Sequence, residues 1–493
     1  MTENLKDKTV TGVVWSAFQK GGSILVGFIS SIVLARLLIP EDYGLIGMLA
    51  IFIAVSEVFI NGGFGSALIQ KKRPTDMDYS TFFIWNLTIS VFIYVVLFLC
   101  SPLIAGFYNQ KILCSILRIY GVILIINSVS LVQTYQLRKQ LNFKKIGAIE
   151  VSASALSLMV CIYFAWKGYG VWALVIQTLF GGTLKTLLFW LTSKWRPMLK
   201  FSVQSFKELF SFGGFILLSN LINTFCNNIQ GLLIGRFYNP ATMGYYSKAK
   251  STEDLSSSFI AQVIDQVAFP VLAEAQNDKA YMIRMLKKFI SVLAFLTFPI
   301  MLLLILLANP VFVILYSEKW LQSVPYFQIL CLAGLAICLQ GINYYAVAAA
   351  GKSKDMFLWT LVKRGVGLCL VVGGLAIWGI KGLLVGMVLT SYMIYFINAG
   401  LVSKHIGYTG MQQFKDLLPV ILVSAVSFLV AFLIGHFLHL NMYVEGAIQL
   451  AVFAAIYLGL SVSFKLEAFA FSKEVVGSLM GKIKNRKNET SVS

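Results

Sequence analysis

Long apolar stretches, separated by short polar loops, recur along the whole chain. Because a membrane-spanning helix needs about 20 mostly apolar residues, the pattern predicts about fourteen transmembrane helices. The first two spans are predicted over residues 13–38 and 43–69, the seventh over 210–234 and the eighth over 244–272. The others are predicted to begin near Thr81, Ile112, Ile146, Val171, Phe289, Val324, Met356, Leu383, Leu417 and Ala447.

Composition supports an all-α integral membrane protein. Of 493 residues, 58% are hydrophobic and only 12% are charged, whereas soluble domains contain about 25% charged residues. The longest loop between spans covers residues 194–207. It is too short for an appended catalytic domain, so we expect no enzyme activity and no catalytic residues.

The net charge of +19 is distributed asymmetrically. Alternate loops and the two termini carry 27 Lys and Arg residues, whereas the opposite loops carry 6. Basic loops face the cytoplasm, so both termini are predicted to be cytoplasmic. The basic residues are expected to meet anionic membrane lipids rather than nucleic acid.

A short signature, R-x-x-x-P-x-x-x-G, occurs twice at an offset of 200 residues. In each copy Pro interrupts the helix, Gly permits a tight turn and Arg can extend towards lipid headgroups. A duplicated helix stop in corresponding places indicates two related halves. The structural signature consists of Arg36, Pro40, Gly44, Arg236, Pro240 and Gly244.

A second repeated pair extends this duplication: Trp166 and Gly170 correspond to Trp378 and Gly382. We predict an N-terminal lobe of six spans (1–195), a C-terminal lobe of six spans (196–410), two additional spans (411–465) and a basic cytoplasmic tail (466–493). Because the halves have the same orientation, the repeat axis should lie along the membrane normal.

Polar residues at helical spacing predict helices that line a shared cavity. The first span carries such a stripe, and the offset of 200 relates it to asparagines of the seventh span. The start of the eighth span is also polar. The candidate cavity residues are Gln19, Lys20, Ser23, Asn220, Asn223, Asn227, Lys248 and Lys250.

Three acidic residues are candidates for ion coupling. Glu57 lies within the second span, and Asp254 and Asp265 lie on one face of the eighth. A buried carboxylate can carry a proton; the alternative is a salt bridge between helices. Lys185, Lys363 and Arg364 are near enough to span ends to reach the headgroups.

No metal site or cofactor is predicted. The seven cysteines lie in apolar stretches without a CxxC motif, and the three histidines are scattered. The chain has no GxxxxGK[ST] phosphate loop.

The chain resembles the polysaccharide-transport family, which includes the Wzx-type flippases. The resemblance lies in the doubled signature, in Glu41-Asp42-Tyr43-Gly44 and in Gly62-Gly63-Phe64-Gly65-Ser66-Ala67-Leu68-Ile69. The resemblance places the chain in a larger exporter group that also contains lipid II flippases and multidrug extruders. It implies an undecaprenyl-pyrophosphate-linked oligosaccharide as substrate, alternating access and a proton or sodium gradient. A polysaccharide polymerase and a chain-length regulator are implied partners in the bacterial inner membrane.

On that resemblance, Lys20 would attract the carrier pyrophosphate; alternatively it pairs with Glu57 or extends to the headgroups. An ion-coupled multidrug exporter is the main alternative function and predicts a cavity dominated by acids. A polymerase or ligase would require a large periplasmic loop, which the predicted spans do not leave.

Overall fold

A computed structural model describes residues 21–198, 200–438 and 440–469, and every regular element in them is helical. In the first part of the chain the helices are α1 (Gly21–Leu37), α2 (Pro40–Asn61), α3 (Phe64–Gln70), α4 (Asp76–Phe107), α5 (Ile112–Tyr120), α6 (Val122–Lys139), α7 (Phe143–Trp166), α8 (Val171–Thr192) and α9 (Val203–Phe237). The next helix, α10, covers Pro240–Glu274.

The remaining helices are α11 (Lys279–Leu306), α12 (Ala308–Tyr316), α13 (Val324–Ala349), α14 (Ser353–His405), α15 (Gly410–Leu438) and α16 (Met442–Ser463). Two short 3₁₀ helices occupy Ala275–Asn277 and Glu318–Ser323. Within α14, the backbone leaves helical geometry at Trp378 and Gly379. This break separates the predicted eleventh span from the twelfth.

The order of helices agrees with the predicted spans. The second span is interrupted at Gly62 and Gly63, which gives α2 and α3, and the fourth divides into α5 and α6. Ten helices in the described residues are long and apolar enough to cross a membrane, or eleven if the two parts of α9 count as one span. The prediction of an all-α, multi-pass membrane protein is therefore confirmed.

The chain forms two compact units, residues 1–247 and 248–493. The first unit includes α9 because this helix packs along α2. The lobes predicted from the repeat divide the chain earlier, at 195/196, and they remain a prediction about its duplication.

In the first unit the two signature copies contact each other. A Cβ atom added to Gly44 would collide with the carbonyl oxygen of Pro240, and one added to Gly244 would collide with that of Pro40. Both glycines are buried. The glycines are therefore required because two backbones meet here.

Arg236 of the second copy packs against the end of α4. Its guanidinium donates to the backbone oxygen of Phe107 and lies 5.0 Å from the centre of that ring. The arginine thus satisfies a carbonyl at the end of a helix, where the helix itself supplies no donor.

The other end of α2 also packs closely on α9. Gly63 has φ +71°, and an added Cβ would collide with the backbone of Gly213. Near this contact α9 bends by 56° between Val203–Ser211 and Ile216–Phe237. Phe64 packs in the same region against Phe206 and Phe210, with ring centroids 5.6 and 6.0 Å away.

Lys71, in the loop after α3, lies between two carboxylates. Its ammonium is 2.9 Å from Asp78 Oδ1 and 3.0 Å from Glu208 Oε2. Desolvation opposes its charge, but the two carboxylates outweigh that effect and raise the pKa of Lys71. The lysine therefore stays charged and joins the starts of α4 and α9.

The second unit has a large apolar core formed by α11, α13, α14, α15 and α16. Three polar side chains form a hydrogen-bonded cluster within this core. Asn343 and Gln413 exchange two hydrogen bonds of 3.1 and 3.2 Å, and the Tyr395 hydroxyl donates to Gln413 at 3.2 Å. Paired amides satisfy each other where lipid and core offer no partner.

Candidate functional site

A polar cavity of about 570 Å³ lies within the first unit. It is lined by residues of α1, α2, α5, α6, α7 and α8 and is partly open to its surroundings. Its volume falls within the range of about 300–1,000 Å³ that is usual for ligand sites. The polar lining residues are Ser23, Ser30, Glu57, Tyr120, Asn127, Glu150, Ser154, Ser157, Gln177, Thr178 and Lys185.

Glu57 carries one of the two carboxylates at the cavity. Asn127 Nδ2 donates to Glu57 Oε1 at 3.4 Å, a long hydrogen bond. Lys185 is close enough to interact electrostatically with this carboxylate. Polar side chains at membrane depth are stable when they face a cavity or each other, and Glu57 does both.

Amide and hydroxyl groups surround the rest of the cavity. Gln177 Nε2 donates to Ser30 Oγ at 3.2 Å, which joins α8 to α1. The Tyr120 and Thr178 side chains also line the cavity, and the Thr178 hydroxyl donates to the backbone oxygen of Leu174 at 3.0 Å. These groups can donate and accept, so they suit a ligand with several hydroxyl groups.

Small residues on α7 and α8 create the space. A Cβ on Gly182 would collide with Ile123, and one on Gly181 would lie 3.1 Å from Ser157. Close packing of two helices at small residues is typical of membrane bundles. The polar residues on the neighbouring turns of α7 and α8, among them Ser154, Thr178 and Lys185, line the cavity.

Of the predicted cavity residues, Ser23 lines this cavity. Gln19 and Lys20 lie outside the described residues, so their role remains a prediction. Asn220, Asn223 and Asn227 are on α9 and are not among the residues that line this cavity. Asn220 and Asn227 are exposed and Asn223 is half-buried.

Lys248 and Lys250, at the start of the second unit, both have protein partners. Lys248 is 2% exposed, and its ammonium lies 4.1 Å from the ring centre of Tyr316 and 5.5 Å from that of Trp320. Such a position over aromatic faces stabilises a cation. Lys250 pairs with Glu253 at 2.8 Å and with Asp254.

The three coupling candidates differ in setting. Glu57 lines the cavity, and Asp254 is half exposed and paired with Lys250. Asp265 belongs to α10, but its side chain is outside the description. Glu253, which was not predicted, is fully buried, and its Oε1 has no hydrogen-bond partner in the described structure.

Two lysines differ from the expectation that they reach the headgroups. Lys185 lines the cavity instead. Lys363 is 6% exposed and donates to Asn398 Oδ1 at 2.8 Å. Both find polar partners inside the bundle, which avoids the cost of exposing an ammonium group to lipid.

Sequence reasoning missed Asn127, Glu150 and Gln177. Glu150 precedes Ser154 and Ser157 on α7 at spacings of four and seven, so a stripe search applied to the fifth span would have found this face. Asn127 and Gln177 each stand in a more apolar sequence. Only the packing of α6 and α8 shows that they share the cavity.

In residues 21–198, 200–438 and 440–469 no group of three or more His, Cys, Asp or Glu side chains is arranged to hold a metal ion.

Solved structures show that the fold is shared with membrane transporters. The chain is similar to the lipid II flippase MurJ in an inward closed conformation, with a TM-score of 0.74 and 16% identity, covering 92% of this chain and 98% of that one. It is also similar to an inward-facing multidrug MATE transporter, with a TM-score of 0.63 and 14% identity, covering 78% and 94%.

Curated relatives agree with the resemblance noted in the sequence. The chain is 24% identical to the lipopolysaccharide biosynthesis protein WzxC of Escherichia coli, covering 88% of each chain. It is 29% identical to the teichuronic acid biosynthesis protein TuaB of Bacillus subtilis, covering 69% of this chain and 73% of TuaB. A family model described as polysaccharide biosynthesis protein matches residues 33–325. The chain therefore belongs to this polysaccharide biosynthesis family.

Proposed function

We propose that this protein is a flippase that moves undecaprenyl-pyrophosphate-linked oligosaccharide from the cytoplasmic to the periplasmic leaflet by alternating access. The product would be used to build O-antigen, capsule or exopolysaccharide. The observation that carries the proposal is the polar cavity inside a bundle of apolar helices. A hydrophilic glycan cannot cross the hydrocarbon core unless protein groups replace its water.

Glu57 would couple transport to an ion gradient. Its carboxylate lies in the cavity beside Asn127 and within electrostatic reach of Lys185. Binding or release of a proton there changes the charge that Lys185 and the cavity experience. Such a change can favour one conformation over another if it alters their relative stability.

The location in the bacterial inner membrane, with both termini in the cytoplasm, completes the proposal. The asymmetry of Lys and Arg among the loops supports this orientation. A polysaccharide polymerase and a chain-length regulator would act on the translocated repeat units. The protein would perform translocation without changing a covalent bond.

Depletion of the protein tests the function. If it is the flippase, carrier-linked oligosaccharide of repeat-unit length accumulates on the cytoplasmic side, and the same sample identifies the sugar. Normal polymer at the cell surface after depletion would refute the proposal.

An ion-coupled multidrug exporter is the second candidate. The described part of the cavity holds two carboxylates, Glu57 and Glu150, and one ammonium, Lys185. An excess of carboxylates in the cavity suits an organic cation, as the multidrug-exporter alternative predicts. This candidate predicts that depleted cells become sensitive to cationic dyes while their surface polysaccharide stays normal.

A further inference from the structure

The chemistry of the cavity lining narrows what the cavity could hold. A lipid tail would need apolar walls, and a diphosphate would need several cations. The described lining instead combines amides, hydroxyls and a phenol with two carboxylates and one ammonium, interspersed with the apolar side chains of Val26, Ile53 and Ile123. The amide and hydroxyl side chains can both donate and accept hydrogen bonds. The carboxylates are strong acceptors, and the ammonium group is a strong donor.

We infer that the cavity in the first unit is a binding subsite for an uncharged, hydroxyl-rich sugar of the lipid-linked glycan, with Glu57, Asn127 and Gln177 as its principal hydrogen-bonding groups. This inference rests on the proposed function and assigns one part of the substrate to one part of the protein. The pyrophosphate would be bound elsewhere.

Unused hydrogen-bonding capacity at the cavity supports a polar ligand. Asn127 Oδ1 is buried and has no hydrogen-bond partner in the described structure. The Asn127 amide reaches Glu57 only at 3.4 Å. Since a buried polar atom without a partner is costly, a ligand that turned the Asn127 amide towards the cavity and hydrogen-bonded it would improve this arrangement.

The shape of the wall also favours a sugar ring. Gly27, Gly181 and Gly182 lie at the cavity together with Ser154 and Ser157. Gly181 and Gly182 are filled by packing against Ser157 and Ile123, whereas beside Gly27 a Cβ would meet nothing within 4 Å, so a ligand can approach the backbone of α1 there. Gln177 already bonds a hydroxyl group, because its amide donates to Ser30 Oγ at 3.2 Å.

The charges of the wall argue for an uncharged sugar. Glu57 and Glu150 would repel a carboxylated sugar, and Lys185 is partly neutralised by Glu57. An uncharged ring can accept from Lys185 and donate to both carboxylates, and it adds no further charge to the cavity.

The test uses the purified full-length protein and two probes: lipid-linked oligosaccharide extracted from depleted cells, and bare undecaprenyl pyrophosphate. Ser154→Trp, which fills the cavity, should weaken binding of the glycan-bearing probe at least about tenfold, the effect of losing one or two hydrogen bonds. It should leave binding of the bare carrier unchanged. The matched control is Leu156→Trp on the same helix, where Leu156 is 45% exposed.

A second pair of variants separates sugar binding from ion coupling. Glu57→Gln retains hydrogen-bonding groups and should bind the glycan probe nearly as wild type, whereas Glu57→Ala should bind it about tenfold more weakly. The cavity would instead be an ion site if both variants lost the same affinity for the glycan probe and if binding changed its dependence on proton or sodium concentration.

Each outcome bears on one claim. If Ser154→Trp and Leu156→Trp bind both probes as wild type does, the subsite is wrong while the flippase proposal stands. Tighter binding of a cationic dye than of the glycan probe by the wild-type protein would overturn the subsite in favour of a drug site. If depletion traps no lipid-linked glycan, the proposed function itself fails before the subsite is considered.

Discussion

Gly44 and Gly244 meet at the contact between the two signature copies: a Cβ on Gly44 would lie 3.1 Å from the backbone nitrogen of Gly244. Each glycine also faces the proline carbonyl of the other copy. The duplicated motif is therefore a contact between backbones that only glycine permits.

Gly44→Ala and Gly244→Ala should each destabilise the protein by about 1–3 kcal/mol, because the added methyl group forces two backbones apart. Thermal unfolding in detergent measures the loss. The control is Gly106→Ala in α4, where a Cβ would have no neighbour within 4 Å. This control should leave stability unchanged or raise it; equal behaviour of all three variants would contradict the packing argument.

Lys71→Ala should destabilise the protein by about 1–3 kcal/mol, because it leaves the carboxylate of Asp78, which is 1% exposed, with fewer partners. Glu208→Gln should have a smaller effect, since that carboxylate is half exposed and meets Lys71 only at the surface. The measurement is again thermal unfolding, compared at low and high salt. A larger loss in Glu208→Gln than in Lys71→Ala would show that the link to α9 dominates.

Lys20→Ala should reduce export of lipid-linked glycan, whereas Lys20→Arg should preserve part of it, because arginine keeps the charge but not the point geometry of an ammonium group. Surface polysaccharide per molecule of transporter is the measurement. Normal export by Lys20→Ala at normal protein levels would remove Lys20 from the mechanism.

Glu57→Gln should reduce transport driven by an imposed ion gradient, because an amide cannot take up or release the proton of a carboxyl group. Its effect is measured in vesicles with and without the gradient. Glu274→Gln serves as the control, since Glu274 is an exposed carboxylate at the end of α10. If Glu57→Gln vesicles respond to the gradient as wild type does, coupling uses another site.

The spans were predictable because apolar length and helix-breaking residues are local properties of the sequence. The break at Trp378 and Gly379, for instance, falls where the repeat placed a loop. The cavity was less predictable. Glu57 was identified by its charge alone, whereas Asn127 and Gln177 become neighbours only through packing of helices about 50 residues apart in sequence.

Lys185 and Lys363 also show that the sequence alone does not predict which way a side chain faces. Position along a span suggested that Lys185 and Lys363 reach the headgroups, but rotation about the helix axis decides whether a side chain faces lipid or protein. Asn398, which accepts from Lys363, lies 35 residues away in sequence. No periodicity within one span could indicate it.

The reciprocal contact of the signature copies has an evolutionary consequence. When residue i of one copy touches residue j of the other and j touches i, the pattern is that of an isologous, two-fold interface. A chain with a single copy could have made this contact with a second identical chain, so a symmetric homodimer is a structurally consistent ancestor. In a fused descendant of such a dimer the two glycines would be separate positions under one constraint, because a change in either has to be accommodated by the backbone of the other copy.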